Sequence, residues 1–582
     1  MSEKSHEIIE LMRNIFFLKD AFGVSHAYKT EFFSFFKYRY LNYWIASLII
    51  IDNALTELQP SLILVPPSTD PKDIKKDLLP ITPLFGHVCQ LYASLHGYKV
   101  LTCGKVGSPN KEEQRFYKST LGVTKPEFLR RFLFNIQLFG YKFLSHRKNV
   151  IWATNSAYNI PRVMDYLNKK IKASFLVGGS DHKEKRFWLR SIFYRKSWHF
   201  LWFPSPSSRR DLNIFFNSYD IEIEKITEKI RSNAGIFSFM GVDLQRPIID
   251  YLKNGLKSRI KDTFYGSQSF ARAIKVKKPY FLISNQATGY HYAIGELCAM
   301  EKIKGMLISH GTHVSHSNKV AKREWNEQAR YMINSHFPLV AVQTVWAQGF
   351  LNDQISLVSK NISTGPLLFS KRDPKKDYMD LRKKLFLNQY KKKIILHAAT
   401  AFGWNNFHPW VDLTHDEYLQ QINNLIKSVE QMSNVFLAIR IRLKNFPGMS
   451  LEAVKRLLIA SNCYEIYTEG SFEDYLLCSD LLVSFSSTTI EEALQLRVPV
   501  LQYDPFDRYS HIPAKKLNKN SELKVASIYY VSGSENLSWT IDWIIKNHLD
   551  IPNSQELIDW SPHIINFSGD WILPIIGKKD SL

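Results

Sequence analysis

The strongest constraint on the fold of this chain is a recurring unit: a short, largely apolar, β-branched run, then a turn, then a helical pattern. In the first half the runs are Ser47–Asp52, Ser61–Val65, Lys99–Cys103, Asn149–Ala153, Ala173–Val177, Pro279–Ser284, Met306–Ser309 and Val340–Gln343. The second half adds Lys393–His397, Val435–Ile441, Cys463–Tyr467, Leu481–Ser484 and Val498–Gln502. Runs that are apolar rather than alternating belong to strands covered on both faces, which is the condition of a parallel sheet. Strand followed by helix at this spacing predicts doubly wound α/β domains. With 582 residues, one hydrophobic core is too few, and two or three domains are expected. In open sheets of this type, ligands lie at the carboxyl ends of the strands.

Composition narrows the partners. Hydrophobic residues at 45% and charged residues at 22% exclude wholesale disorder. The net charge of +22 favours an anion: nucleic acid, a phospholipid surface or a phosphorylated substrate. Aromatics reach 14%, so something flat or amphipathic is expected to be covered. The five cysteines (Cys89, Cys103, Cys298, Cys463, Cys478) show no paired metal spacing, which argues against a disulfide framework and a structural zinc site. Residues 1–20 read as an amphipathic helix rather than a signal peptide. The most apolar run, Tyr43–Ile51, falls short of the roughly 20 residues that span a bilayer. The expected location is the cytoplasm, peripheral to the inner face of the cell membrane.

The most informative motif runs from Asp480 to Tyr503. A buried strand ends at Ser484, four hydroxyls (Ser486, Ser487, Thr488, Thr489) open a helix, Glu491 and Glu492 follow, and Val498-Pro-Val-Leu begins the next strand. Hydroxyls and free N–H groups at a helix start make a seat for phosphate. Glu491 or Glu492, one turn in, is placed to accept hydrogen bonds from ribose hydroxyls. Plain N-capping would use the same residues.

This frame resembles the carboxyl-terminal, nucleotide-sugar half of GT-B glycosyltransferases that build bacterial capsule and lipopolysaccharide; sialyltransferase-like and Kdo-transferase-like enzymes have serine-rich turns of this kind. CDP-glycerol transferases of teichoic acid synthesis carry a similar turn. The likeness extends to Ile283-Ser-Asn-Gln-Ala-Thr-Gly-Tyr-His, to Leu307-Ile-Ser-His-Gly-Thr-His313, to Val342-Gln-Thr-Val-Trp-Ala-Gln-Gly and to Ser363-Thr-Gly-Pro366. It covers 279–505 well and the first 270 residues poorly. It implies two Rossmann-like doubly wound domains facing a cleft: an acceptor domain with helical insertions over 1–369, a linker over 370–391 and a donor domain over 392–545. A terminal segment, 546–582, would cross back to the first domain.

The remaining candidates follow from that frame. The strand 435–441 delivers Arg440, Arg442 and Lys444 to a carboxyl end, where guanidinium groups suit phosphate and carboxylate. In sialyltransferase-like enzymes this strand leads to a His-Pro pair. Here the local sequence is Phe446-Pro447, and His408-Pro409 lies elsewhere. Thr400, in the turn after His397, is a further donor contact. His310, at a strand end beside Gly311, is placed as a base or phosphate donor. Asp181 and Glu296 are the candidate carboxylates, as base or as nucleophile. No metal is expected, since no Asp-x-Asp pair occurs in a suitable turn, and no cofactor beyond the donor itself. Residues 185–202 and 129–148 interleave cations with Phe, Tyr and Trp, the composition of an interfacial helix on anionic lipid.

The function these features predict is transfer of a sugar from a nucleotide sugar to an oligosaccharide or lipid-linked acceptor. A CMP-activated acidic sugar such as Kdo or a nonulosonate is the preferred donor. A CDP-glycerol-type transferase or a nucleotide-sugar 2-epimerase is the near alternative. A non-catalytic basic binder of membrane or nucleic acid is the alternative of another class, although no nucleic-acid motif accompanies the charge.

Overall fold

The computed structural model describes residues 2–65, 81–103, 131–142 (except 133, 137 and 140), 149–154, 160–170, 173–178, 198–201, 208–309, 335–353, 359–369, 372–398, 415–441, 450–508, 510–521, 524–565 and 571–572. A few single positions (319, 322, 323, 326, 333 and 413) complete the set.

The first strands, β1 (Ile63–Val65) and β2 (Val100–Thr102), form a small parallel pair. The chain then supplies β3 (Asn149–Ala153), β4 (Ala173–Gly178), β5 (Trp198–Leu201), the short antiparallel pair β6 (Ser238–Phe239) and β7 (Val242–Asp243), and β8 (Phe281–Ser284). These are followed by β9 (Gly305–Leu307), β10 (Leu339–Val342) and β11 (Lys360–Ser363). Seven of them make one parallel sheet in the order β11-β10-β9-β8-β3-β4-β5. The second half supplies β12 (Lys393–His397), β13 (Val435–Arg440), β14 (Tyr464–Tyr467), β15 (Leu481–Ser484), β16 (Val500–Asp504), β17 (Lys516–Leu517) and β18 (Ile528–Ser532). Their sheet is also parallel, in the order β14-β13-β12-β15-β16-β18-β17.

Both orders begin in the middle, run three strands outward, then return to the starting strand and continue the other way. The reversal falls between β3 and β8 in the first sheet and between β12 and β15 in the second. The expected class is therefore what the structure shows: α/β, with two Rossmann-like doubly wound sheets. The inner strands β8, β9, β15 and β16 are buried along their whole length, as the apolar runs required, whereas the edge strands β11 and β14 are partly exposed. In β12, Ile394 and Leu396 pack on one side with Phe436, Leu482 and Val500, while Ile395 packs on the other with Leu437, Leu481 and Leu501.

The first half carries an additional helical layer. Helices Ser2–Arg13, His26–Phe36, Asn42–Leu58, Arg209–Ser232 and Leu256–Val276 share one core with the first sheet. Much of the aromatic excess is spent there. Phe16 stacks on Phe32 at 4.3 Å, Tyr40 on Tyr251 at 4.0 Å and Phe215 on Phe264 at 4.2 Å.

Two expected elements differ. Ser47–Asp52 is not a strand but the middle of helix Asn42–Leu58, since a short apolar run cannot by itself be told from a buried helical segment. Residues 198–201 are not part of an interfacial helix but form β5, the edge strand paired with β4, where the aromatic run Trp-His-Phe-Leu suits a pleated surface. Residues 185–197 lie outside the described residues. Helix Tyr378–Phe386 falls within 370–391, and Phe386 packs in the second half's core. Towards the end of the chain, Trp560 packs against the second half, whereas Trp571 and Ile572 pack with Ile151 and Met306 under the first sheet. All five cysteines are free thiols. Among the described residues no helix is long and apolar enough to cross a membrane.

Candidate functional site

The carboxyl edge of the second sheet is built around the motif 484–492. Ser484 ends β15 fully buried, and its hydroxyl donates to the Ala398 carbonyl just beyond β12. Thr489 reaches the same carbonyl at 3.4 Å. The turn is thereby fastened across the point where the strand order reverses, the usual ligand position in such sheets. Ser487 caps the helix that follows: its hydroxyl accepts from the Thr489 N–H at 3.3 Å and its carbonyl from Ile490 N–H at 3.0 Å. Ser486, Ser487, Thr488 and Thr489 are all half-exposed. Four successive hydroxyl-bearing residues therefore border solvent at the switch point, a surface that can meet an oxygen-rich anion.

Glu491 behaves differently from its neighbour Glu492, which is half-exposed. The Glu491 side chain is 1% exposed, and its Oε1 lies 3.2 Å from His511 Nε2, itself equally buried. Its Oε2 accepts a 2.6 Å hydrogen bond from the hydroxyl of Thr344. Thr344 stands two residues beyond β10, in the first half, where its hydroxyl also accepts from Ala347 N–H to cap helix Val345–Asn352. One carboxylate thus joins the carboxyl edges of the two sheets, which face each other. Away from this point the halves are tied by Arg162, which donates to Glu473 at 2.9 Å and to the Phe369 carbonyl at 2.8 Å. Trp346 adds a stacking contact with His563 at 5.7 Å.

Of the basic strand end, Arg440 is described. Its guanidinium donates to the carbonyls of Tyr467 (3.0 Å) and Gly470 (2.8 Å) and lies over the Tyr475 ring at 5.5 Å. That arrangement braces the loop after β14 instead of presenting a free cation. Arg442 and Lys444 lie outside the described residues, as do Thr400, His310, Asp181 and the pair His408-Pro409.

Glu296 needs a correction. It is 4% exposed, and its carboxylate accepts from the N–H groups of Ser25, His26 and Ala27 at 2.8, 3.1 and 3.0 Å. Those are the orphan donors at the start of helix His26–Phe36. A buried carboxylate spent in this way is a helix cap, not a base facing a cleft.

Residues outside the sequence motif complete the edge. Arg508, four residues past β16, forms a forked pair with Glu417 (3.1 and 3.4 Å) and rests on Phe485 and Phe506 at 5.9 and 4.8 Å. Phe485 is part of the turn, so Arg508 supports it from the side. His397 ends β12 fully buried and stacked on Tyr418, and burial pulls its pKa down to about 4. It is neutral at physiological pH. The sequence signal for Arg508 and His511 was thin: a polar stretch after a strand, with neither residue inside the 480–503 frame. Thr344 sits in Val342-Gln-Thr-Val-Trp-Ala-Gln-Gly, a stretch that entered only through the resemblance and not as a site.

A cavity of about 980 Å³ opens at the opposite end of this sheet, lined by Asp480, Arg497, Val498, Pro499 and Trp560. Asp480, Val498 and Pro499 precede their strands, so this space lies at the amino ends, away from the switch point.

Neither a protein-family model nor a curated protein sequence matches the chain. Solved structures align over most of its length at low similarity. A UDP-GlcNAc 2-epimerase from Neisseria meningitidis bound to UDP-GlcNAc is 12% identical, covering 73% of this chain and 98% of its own, with a TM-score of 0.41. The wall teichoic acid polymerase TagF is 11% identical, covering 81% and 98%, also at 0.41. Anabaena HepE in complex with UDP and glucose is 12% identical over 72% and 96%, at 0.36. At scores of this size, the fold assignment rests on the two sheets themselves.

Proposed function

We propose that this protein is a glycosyltransferase that draws on a nucleotide-activated sugar held at 484–492 and delivers the sugar to an acceptor approaching from the first half. The observation that carries this reading is the half-exposed hydroxyl turn, fastened to Ala398 across the switch point of the second sheet and facing the first sheet. A sugar-nucleotide diester or diphosphate is rich in oxygen acceptors, and Ser486 and Thr488 supply donors without a charge to neutralise. The departing nucleoside phosphate gains negative charge as the glycosidic bond breaks, and donors fixed beforehand at that position lower the barrier. No metal is needed for that step, so activity is expected to survive EDTA. Loss on chelation with recovery on manganese would count against the reading. Asp181 and His310 remain the proposed general base and phosphate contact.

The acidic-sugar donor drew its support from three cations. Arg440 is committed to backbone carbonyls, so the proposal is the class of nucleotide sugars, with a CMP-linked acidic sugar as the first donor to assay. An oligosaccharide on a lipid carrier is the proposed acceptor. In its favour, Ile136 and Phe139 are 53% and 75% exposed in a stretch without a single acidic residue between Glu127 and Asp165. Such a face suits an anionic leaflet.

The test is calorimetry with CMP, CDP, UDP and a random oligonucleotide, on wild type and on a Ser486→Ala/Ser487→Ala double variant. A nucleotide should bind wild type and weaken about 10- to 100-fold in the variant, the scale of a lost hydrogen bond to a charged group. Unchanged affinity in a folded double variant removes the reading. Response to the oligonucleotide alone selects the nucleic-acid binder, and donor consumption without acceptor selects an epimerase.

A further inference from the structure

Glu491 is the residue on which the two halves and the proposed ligand make conflicting claims. Its carboxylate oxygens each have a partner, His511 on Oε1 and Thr344 on Oε2, and at 1% exposure the group has no open side towards solvent. The His511 contact comes from the second half, within the loop after β16, and orients the carboxylate. The Thr344 contact crosses to the first half over 147 positions of sequence. A ribose hydroxyl arriving at the 484–489 turn has the same chemistry as the Thr344 hydroxyl: one O–H donor with oxygen lone pairs beside it.

We infer that the Thr344–Glu491 hydrogen bond is an autoinhibitory latch: the Thr344 hydroxyl occupies the carboxylate that would otherwise accept the donor's ribose, so nucleotide loading and the latched contact between the halves exclude each other. This rests on the assignment of 484–492 as the nucleotide site. The nucleotide must displace Thr344, and the strength of that bond is subtracted from its affinity. Linkage makes the effect reciprocal, so bound nucleotide loosens the contact between β10's end and the second half to the same degree.

The consequence is unusual in sign. Removing a hydroxyl from the first half should strengthen nucleotide binding in the second. Thr344→Gly deletes the hydroxyl while costing the helix cap little, because glycine is tolerated at that position. Thr344→Ser keeps both the donor and the cap.

Calorimetry with CMP and UDP on the full chain decides it. Thr344→Gly should bind the nucleotide that wild type prefers about 10-fold more tightly, the lower end for a hydrogen bond to a charged group, and Thr344→Ser should match wild type. Unchanged or weaker binding by folded Thr344→Gly overturns the latch. The Ser486→Ala/Ser487→Ala variant separates the two failures. If it weakens binding while Thr344→Gly leaves it unchanged, the site stands and the latch falls. If it too binds like wild type, the site assignment falls and takes the latch with it.

Discussion

The two sheets have the same strand order through their first five strands, yet their switch points are finished in opposite ways. In the first sheet, Thr154 and Ser284 hydrogen-bond to each other at 2.8 Å across β3 and β8. The turn that follows is held from behind. Gly289 N–H donates to Glu31, whose other oxygen is bound by Arg259 Nε at 2.9 Å. Gly289 takes φ +56° and Ala287 and Asn285 are fully buried. In the second sheet the corresponding turn, Ser486 to Thr489, is half-exposed, and its hydroxyls border solvent. Topology places a possible site at both edges. Among the described residues, the helices of the first half clamp the turn after β8, whereas the turn after β15 keeps its hydroxyls at the surface.

The largest effect expected from that contrast is on stability. Glu31 is 3% exposed and satisfies both a backbone N–H and a guanidinium. Glu31→Ala would take away the acceptor of that N–H and the carboxylate paired with Arg259, and should lower the free energy of unfolding by about 3 kcal/mol. The Ser486→Ala/Ser487→Ala pair, at the open edge, should cost under about 1 kcal/mol because solvent can replace the lost bonds. Chemical denaturation of both proteins measures the difference. Equal losses would mean that the two edges are not clamped and open, but alike.

How much of this was legible beforehand follows the same division. Twelve of the thirteen apolar runs named from sequence lie on strands of the structure, because a strand of a parallel sheet is largely apolar along its length and that requirement is local. Ser47–Asp52 misled because a helix buried on all sides imposes the same local requirement. The hydroxyl turn at 484–489 was legible because strand end, cap and next strand are contiguous. Glu491's partners were not, since Thr344 and His511 meet it only through tertiary packing, and nothing in either neighbourhood announces a contact over 147 or 20 positions. Glu296 shows the reverse error: a carboxylate near a promising strand end, whose real partners, the N–H groups of 25–27, belong to a helix some 270 residues earlier.

A second contrast can be sharpened by pH. Each edge carries a buried imidazole whose pKa is depressed: His291 just after the first turn, pulled down to about 3 by burial and by Arg259, and His397 at the end of β12, pulled down to about 4 by burial. Both are neutral in the folded protein, whereas in the unfolded chain they titrate near 6.5. The unfolded state therefore takes up protons first as pH falls. The stability that these groups contribute is complete above about pH 6.5 and is lost progressively towards pH 4. Each should contribute a loss of about 2 kcal/mol between pH 7.5 and 5, read from denaturant midpoints. His397→Asn should remove one such contribution, and an unchanged pH slope in that variant would mean that the imidazole reaches solvent more readily than its burial implies.

A small effect is expected at Arg440, and it separates structure from ligand contact within the open edge itself. Its two donated bonds, to Tyr467 and Gly470, and its seat on Tyr475 hold the loop that follows β14. Arg440→Gln keeps the stem and one donor but gives up the fork. Because Arg440 is half-exposed, water can satisfy the freed carbonyls, and the cost in stability should stay near 1 kcal/mol. Nucleotide affinity should change less than about 2-fold, since a guanidinium already committed to backbone carbonyls has little to give a phosphate. If affinity falls about 10-fold or more instead, the guanidinium leaves its carbonyls for the ligand. The strand end would then rank with the hydroxyl turn as donor-binding surface, and an acidic sugar would again become the preferred donor.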